Sequence, residues 1–380
     1  MTEDVLEPEG EPEESPIDDS EEVVVQDVDP DLEVMPITYE ITSYGADYDV
    51  HGLVRRIENG DIVVPSFEPS FTGTDEVRGF QRDFVWRIPQ MSRFIESLLL
   101  GLPVPGVFLV RTKDNKLLVL DGQQRLGTLS KFYSGLVGER KFRLKGVQDP
   151  WNGMTFSELE PEDRRRLDDS IIHATILRQE SDHGEQDAIY SIYERLNTGG
   201  SPLRPQEIRI ALYAGPFLTG ISELNAAPEW RRLYGAPSQR FRDHELILRV
   251  LALFEESPSY RRPLKSFLNG YLSANQERDL SVQTTLGETF VNAVGILDST
   301  LGPRAFRPER ALNAAYLDSI TTAVMHAVTE QRSLDGDRAS RALAELESDP
   351  DFKRATLYDT SAEDAVQYRL QAARAAFGGQ

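Results

Sequence analysis

The chain has 380 residues, of which 39% are hydrophobic, and this is enough for a sizeable core and for two domains. It contains no cysteine, which excludes disulfides, thiolate catalysis, iron–sulfur clusters and thiolate zinc sites. The formal net charge of −22 is uneven, because residues 1–35 contain 15 acidic residues and no Lys or Arg, and the rest carries only −7. A mildly acidic body disfavours a large nonspecific nucleic-acid footprint, although it allows a local basic groove.

Residues 1–35 are rich in Glu, Asp and Pro, and Val23 to Val25 are their only apolar cluster. This composition buries too little surface to offset the entropy of ordering, and it predicts a disordered acidic tail. The tail is either a solvating segment, or a nucleic-acid mimic or autoinhibitory arm over a basic site. The sequence has neither a signal-peptide pattern nor an apolar run of membrane-spanning length, so we expect a cytoplasmic protein with no membrane partner.

The first part of the ordered chain alternates between predicted strands and helices. In chain order these are a strand over 37–43, a helix around 53–57, a strand over 62–65, a loop over 66–79, a helix from Pro89 to Gly101, strands over 106–110 and 117–120, a helix around 160–167 and a strand over 171–177. The helix after Pro89 is the most strongly periodic, because its apolar residues recur at intervals of three and four.

Beyond residue 177 the apolar pattern is almost wholly helical. Apolar faces cover 188–196, 246–254 and 286–297, and further helices are predicted near 311–330, 338–347 and 361–376. We therefore predict a disordered tail at 1–35, an α+β domain at 36–150 and a mostly helical domain at 151–380.

The most informative stretch is the apolar strand Leu117 to Leu120, which leads directly into Asp121-Gly122-Gln123-Gln124-Arg125. Backbone N–H groups at a turn into a helix attract anions, Arg125 adds a forked cationic donor, and Gly122 allows close approach of a ligand. If a nucleotide phosphate lies there, Asp121 is the candidate to hold Mg²⁺ or to orient a water, and Gln123, Gln124 and Arg125 bind phosphate oxygens. The alternative is a plain strand-to-helix turn with a solvated first helical turn.

Three further polar clusters interrupt apolar patterns. Gln81 and Arg82 precede the Pro89 helix, and Arg82 needs an anionic partner there, either a phosphate or an internal carboxylate. Glu194, Arg195, Asn197 and Thr198 belong to a run that ends in two glycines; they either clamp a ligand between the two domains or mark a left-handed helix stop. Gln206, Glu207 and Arg209, with Arg242, Asp243 and Glu245 later in the chain, are better explained by a solvated or salt-bridged helix face.

Nucleophilic and metal-nuclease chemistry is disfavoured by the sequence. The five histidines, His51, His173, His183, His244 and His326, lack metal-ligand or His-Asn-His spacing, which favours isolated surface or core histidines. No G-x-S-x-G elbow, Walker A loop or dinucleotide fingerprint is present.

The polar clusters occur in the order found in the N-terminal domain family of GmrSD-type modification-dependent restriction endonucleases, and the chain resembles this family over roughly residues 49–254. The shared motifs are Gln81-Arg82-x-Phe84-x-Trp86, the run from Ile95 to Pro105, Asp121-Gly122-Gln123-Gln124-Arg125, Glu194-Arg195-Leu196-Asn197-Thr198-Gly199-Gly200 and Gln206-Glu207-x-Arg209.

The resemblance implies a ParB/sulfiredoxin-like α+β fold with a packed helical domain, and NTP binding or hydrolysis at the Asp121–Arg125 turn. Carried over to this sequence, it points to Asp121, Gly122, Gln123, Gln124 and Arg125 at the nucleotide, with Gln81 and Arg82 nearby. Together with the residue patterns above, this predicts Asp121, Gln124 and Arg125 as catalytic residues, with Asp121 also the ligand of Mg²⁺ or Mn²⁺. The predicted nucleotide-binding residues are Gln81, Arg82, Gly122, Gln123, Glu194, Arg195, Asn197 and Thr198. The chain departs from the family in having no HNH nuclease domain, and residues 66–80 form an insert before Gln81.

The leading hypothesis is therefore a Mg²⁺-dependent NTPase that acts as the sensor or regulatory part of a DNA-restriction or phage-defence system. One alternative is a non-catalytic DNA-binding module, and another is an interaction subunit that recruits a separately encoded nuclease. An NTP is the expected ligand, and DNA and a nuclease subunit are the further partners considered.

Overall fold

A computed structural model of the protein describes residues 23–26, 41–64, 86–112, 115–179, 190–192, 204–238 and 240–378. The insert at 66–80, the pair Gln81 and Arg82, and the cluster at 194–200 lie outside the described residues.

The first part of the chain alternates between strands and helices, as the sequence predicts. Its elements are β1 (Val25–Gln26), β2 (Ile41–Asp49), α1 (Val50–Glu58), β3 (Ile62–Val63), α2 (Ile88–Leu99), β4 (Val107–Arg111), β5 (Leu117–Asp121), α3 (Gln123–Ser134), β6 (Leu136–Val137), β7 (Arg140–Lys141), α4 (Pro161–Asp168) and β8 (Ile171–Gln179). In α2 the periodic apolar residues are buried, and a proline lies in its first turn.

Five of these strands form a mixed sheet in the order β2-β8-β4-β5-β3. β8 pairs antiparallel with β2 along nine residues and parallel with β4 on its other side. β4 and β5 form the predicted hairpin, and β3 pairs in parallel with β5. The last strand of the sheet along the chain thus lies between two strands that precede it.

Both faces of this sheet are covered. Leu117 and Val119 of β5 belong to a core shared with α1, α2, α3 and α4. Leu118 and Leu120 belong to a second core on the opposite face, which also contains Tyr190 and Ile208. Burial on both faces explains why β5 reads as a continuous apolar run rather than as an alternating one.

The rest of the chain is mostly helical. Its elements are α5 (Pro205–Leu212), α6 (Pro216–Asn225), α7 (Pro228–Tyr234), α8 (Arg242–Glu256), α9 (Leu264–Asn275), α10 (Thr285–Thr300), β9 (Leu312–Asn313), α11 (Ala314–Thr329), α12 (Gly336–Ser348), α13 (Pro350–Leu357) and α14 (Glu363–Gly378). The α+β class with a mostly helical C-terminal part is therefore confirmed. The domain division at residue 150 stays a prediction, and β8 joins the sheet of the first part.

Helix α11 lies at the centre of the helical core and is buried along almost its whole length. Its Asp318 is fully buried and accepts hydrogen bonds from Arg249 Nε at 2.6 Å and from Arg369 Nε and Nη2, both at 2.9 Å. Both arginines are also buried. One carboxylate thus joins α8, α11 and α14.

Within residues 1–35 the structure describes only residues 23–26, and the prediction of a disordered acidic tail stays a prediction for the others. Residues 25 and 26 form β1, which pairs in parallel with β9. Val23 and Val25 pack against the helical core. The apolar cluster supplies the one short segment of the tail with side chains suited to burial.

Replacing Asp318 with Ala should destabilise the helical part strongly, because two buried guanidinium groups would lose their counter-charge. We expect the free energy of unfolding to fall by about 3–5 kcal/mol. Urea unfolding followed by circular dichroism would measure this change.

Asp351→Ala is the matched control, since the Asp351 side chain is 60% exposed and lies 3.7 Å from Arg354. Its effect should stay within about 0.5 kcal/mol. A similar midpoint for the two variants would contradict the structural role given to Asp318.

Candidate functional site

The turn from β5 to α3 is held by Gly122, which has φ 98° and is the N-cap residue of α3. The first helical hydrogen bond runs from Leu126 N to Gly122 O. The N–H groups of the first turn, from Gln123 to Arg125, therefore make no hydrogen bond within the helix, and the N-cap residue, a glycine, has no side chain to cap them. A helix terminus of this kind favours an anion.

Glycine is required at position 122 for two reasons. Its φ lies in the left-handed region, which other residues rarely adopt. In addition, a Cβ there would lie 2.5 Å from Val107 Cγ1 and 3.3 Å from Arg125 Nη2. The tight turn therefore brings the start of α3 against the start of β4.

Arg125 is held at the end of the sheet. Its Nη2 donates to Asp121 Oδ2 at 2.6 Å and to Gly106 O at 2.9 Å. Its Nε is buried and has no hydrogen-bond partner among the described residues. The Arg125 side chain is 15% exposed and that of Asp121 is 40% exposed. The two predicted catalytic charges are thus adjacent, with the carboxylate on the more open side.

Gln124 connects the Asp121–Arg125 turn to the motif that ends at Trp86. Its Oε1 accepts a hydrogen bond from Trp86 N at 3.2 Å, and the Trp86 ring packs edge-on against Phe94 at 5.6 Å between centroids. Trp86 is the last residue of the Gln81–Trp86 motif. Gln123 is partly exposed at the helix start.

The structure describes the residues just before the Glu194–Gly200 motif. Glu194, Arg195, Asn197 and Thr198 lie outside the described residues. Immediately before them, Tyr190 and Ile192 pack in the core that contains Leu118 and Leu120. This core covers the sheet face opposite α3.

The polar cluster around Glu207 and Arg209 is buried, and the prediction of a solvated helix face is wrong. Glu207 and Arg209 are 0% and 1% exposed. Glu207 Oε2 pairs with Arg240 Nη2 at 2.7 Å, and Arg209 donates to Asn269 at 2.9 Å and lies 3.4 Å from Glu245. The alternative of a salt-bridged face is correct. These charges stabilise the packing of α5 on α8 and α9.

A further polar pair at this end of the sheet escaped the sequence analysis. His173 Nδ1 lies 2.8 Å from Asp47 Oδ1 across the β8–β2 pair, and both side chains are more than 60% exposed. Gly106 adjoins this pair, because a Cβ on Gly106 would lie 2.6 Å from His173 O. His173 is therefore not isolated. Only the strand register reveals its partner, which lies 126 positions away.

The described residues contain no group of three or more His, Asp or Glu side chains arranged to hold a metal. Among the helices in the described parts of the chain, none has both the length and the apolar composition needed to cross a bilayer.

The family model of the GmrSD restriction endonuclease N-terminal domain matches residues 53–214. The match begins in α1, ends just after α5 and includes β3, β4, β5 and β8. This match confirms the resemblance to the family that was drawn from the motifs. The family connects the chain to a restriction or phage-defence system. A search of curated proteins gives no match.

Gly122→Ala should destabilise the protein more than Gly135→Ala, although both glycines flank α3 with positive φ. A Cβ at position 135 would meet no atom within 4 Å, whereas one at position 122 would collide with Val107. We expect about 1–2 kcal/mol for the backbone strain in each variant and about 1–3 kcal/mol more for Gly122→Ala. Equal unfolding midpoints in urea would show that the contact with Val107 does not constrain the turn.

Proposed function

We propose that this chain binds a nucleoside triphosphate at the Asp121–Arg125 turn and hydrolyses it slowly with Mg²⁺ or Mn²⁺. Within a restriction or phage-defence system it would act as the sensor or regulatory part. The observation that carries the proposal is the ion pair between Arg125 and the more exposed Asp121, set at the N terminus of α3 beside its glycine N-cap.

Phosphate binding would use the charges already present at the turn. The N–H groups of Gln123, Gln124 and Arg125 and the helix dipole favour an anion, and the guanidinium offers planar, paired donors. Arg125 is oriented in advance by Gly106 O, so little side-chain entropy is lost when it binds. Gly122 lets the ligand approach the backbone closely.

Asp121 and Arg125 would exchange partners when the nucleotide binds. In the ligand-free arrangement the carboxylate balances the guanidinium at 2.6 Å. A phosphate that takes over Arg125 frees the Asp121 carboxylate to hold the metal ion and to orient the attacking water. The bound metal supplies neutralisation of the charge that develops on the phosphate oxygens. Arg125 would thus bind the phosphate, and Asp121 would then act in catalysis.

The remaining residues of the proposal come from the family motifs. Gln124 would position the turn through Trp86 and contribute its amide group to the phosphates. Gln81 and Arg82, a few residues before Trp86, would add contacts to the nucleotide. On the other side, Glu194, Arg195, Asn197 and Thr198 would clamp it from the helical part.

Arg125→Gln should weaken NTP binding at least tenfold, because the guanidinium charge and its two donors are lost. Arg125→Lys should recover only part of the affinity, since an ammonium cannot reproduce the planar fork. Isothermal titration with ATP, GTP, CTP and UTP would measure both variants. Arg93→Gln is the matched control, because Arg93 is exposed on α2.

Asp121→Asn should separate binding from turnover. Without its carboxylate, Arg125 no longer has a competing anion, so metal-free NTP binding should be retained or become several-fold tighter. Metal-dependent phosphate release should fall to background. If binding and turnover fell together in this variant, the proposed exchange of partners would be wrong.

One observation favours the alternative of a non-catalytic DNA-binding or interaction subunit. The charge of Arg125 is already balanced by Asp121, so the turn is electrostatically complete without a ligand. In that case no nucleotide would be hydrolysed with any divalent metal, and gel-shift or co-purification assays would detect a DNA or nuclease partner. Binding of NTP without turnover would likewise place the chain in this class.

A further inference from the structure

The tail segment at residues 23–26 lies in a groove of the helical part. Val25 and Gln26 are in register with Leu312 and Asn313, and Leu312 N donates to Val24 O at 3.1 Å. Val23 and Val25 face the helical core, whereas Val24 between them is 70% exposed. The segment therefore binds as a strand, with alternate side chains directed to the groove and to solvent.

The walls of the groove are fixed by contacts that do not involve the tail. Asn313 caps α11 and donates to Thr356 O at 3.0 Å. Arg307 donates to Leu233 O and Tyr234 O at 2.7 and 2.6 Å, which secures the end of α7. The next residue, Gly235, leaves space for Val23, because a Cβ there would lie 3.0 Å from Val23 Cγ2. The groove is thus preformed.

Charge complementarity favours this occupant. Glu21 and Glu22 precede the bound segment and Asp27 follows it. On the groove side, Arg307 is partly exposed and Arg310 is exposed two residues before Leu312; with the exposed Glu309 between them, this segment carries one net positive charge. In the parallel register, Val23 lies opposite position 310, next to Glu22.

The contact is small. Two residue pairs and two partly buried valines oppose the entropy of ordering four residues, and these contributions are of similar size. A contact whose opposing contributions are this close in size is suited to exchange.

We propose that the groove formed by β9, Gly235 and Arg307 is a docking site for an extended peptide with apolar residues two positions apart and carboxylates on its flanks. The chain's own residues 23–26 are its resident, exchangeable occupant. Release of this strand frees the acidic segment 1–22 and opens the groove to the same segment supplied in trans. The tail is therefore a ligand of the helical part rather than a solvating arm alone.

A labelled peptide of residues 19–29 tests the proposal on full-length protein by fluorescence anisotropy. Val25→Asp removes one of the two groove-facing valines and releases the resident strand, so this variant should bind the peptide at least tenfold more tightly than wild type. Val24→Asp is the matched control, because its side chain faces solvent, and it should behave as wild type. A peptide that carries Val25→Asp should not bind.

Three kinds of result would overturn the proposal or one part of it. Absence of peptide binding to the Val25→Asp protein, or equal binding to all three proteins, would overturn the docking site. Affinity should fall between 50 and 200 mM salt, and salt-independent binding would overturn the assignment of the charged flanks. Sedimentation should show the same oligomeric state for all three proteins; a dimer lost only with Val25→Asp would overturn occupation by the chain's own tail.

Discussion

Burial of the central sheet on both faces is the constraint on which the position of the site depends. α1 to α4 cover one face, and residues 190–192 with α5 cover the other. Along the covered strand β5, polar side chains that need solvent or a ligand can therefore be placed only at the strand ends. Asp121, Arg125, His173 and Asp47 all lie at one such end, where β5 finishes and β4 and β8 begin.

The Asp121–Arg125 pair explains how such a site can be stable without a ligand. An arginine that is 85% shielded would be destabilising without a counter-charge, and Asp121 supplies one from the preceding turn of chain. The pair is weaker than a fully buried one, because Asp121 remains open to water. The turn lies within the residues that match the GmrSD restriction endonuclease N-terminal domain.

Local signals in the sequence are sufficient to predict many of the helices and strands and the Asp121–Arg125 pair. The periodic apolar residues of α2, the Pro and Gly residues at its ends, and the apolar run of β5 predicted these elements because their causes lie within a few residues. The helices α6, α7, α9 and α13 were missed, since they are short or lack a clear apolar period. The Asp121–Arg125 pair follows from the i, i+4 spacing on a helix start, whereas the His173–Asp47 pair depends on strand register. The burial of Glu207 and Arg209 was likewise not predictable, because Arg240, Glu245 and Asn269 reach them from distant elements.

The strand order has a consequence for biosynthesis. β8 enters the sheet between β2 and β4, yet it is made more than 50 residues after β4. Until residue 179 has left the ribosome, β2 has no neighbour and β4 exposes one row of unpaired N–H and C=O groups. A nascent or truncated chain that stops before β8 would therefore carry an adhesive strand edge, and emergence of β8 itself removes that hazard.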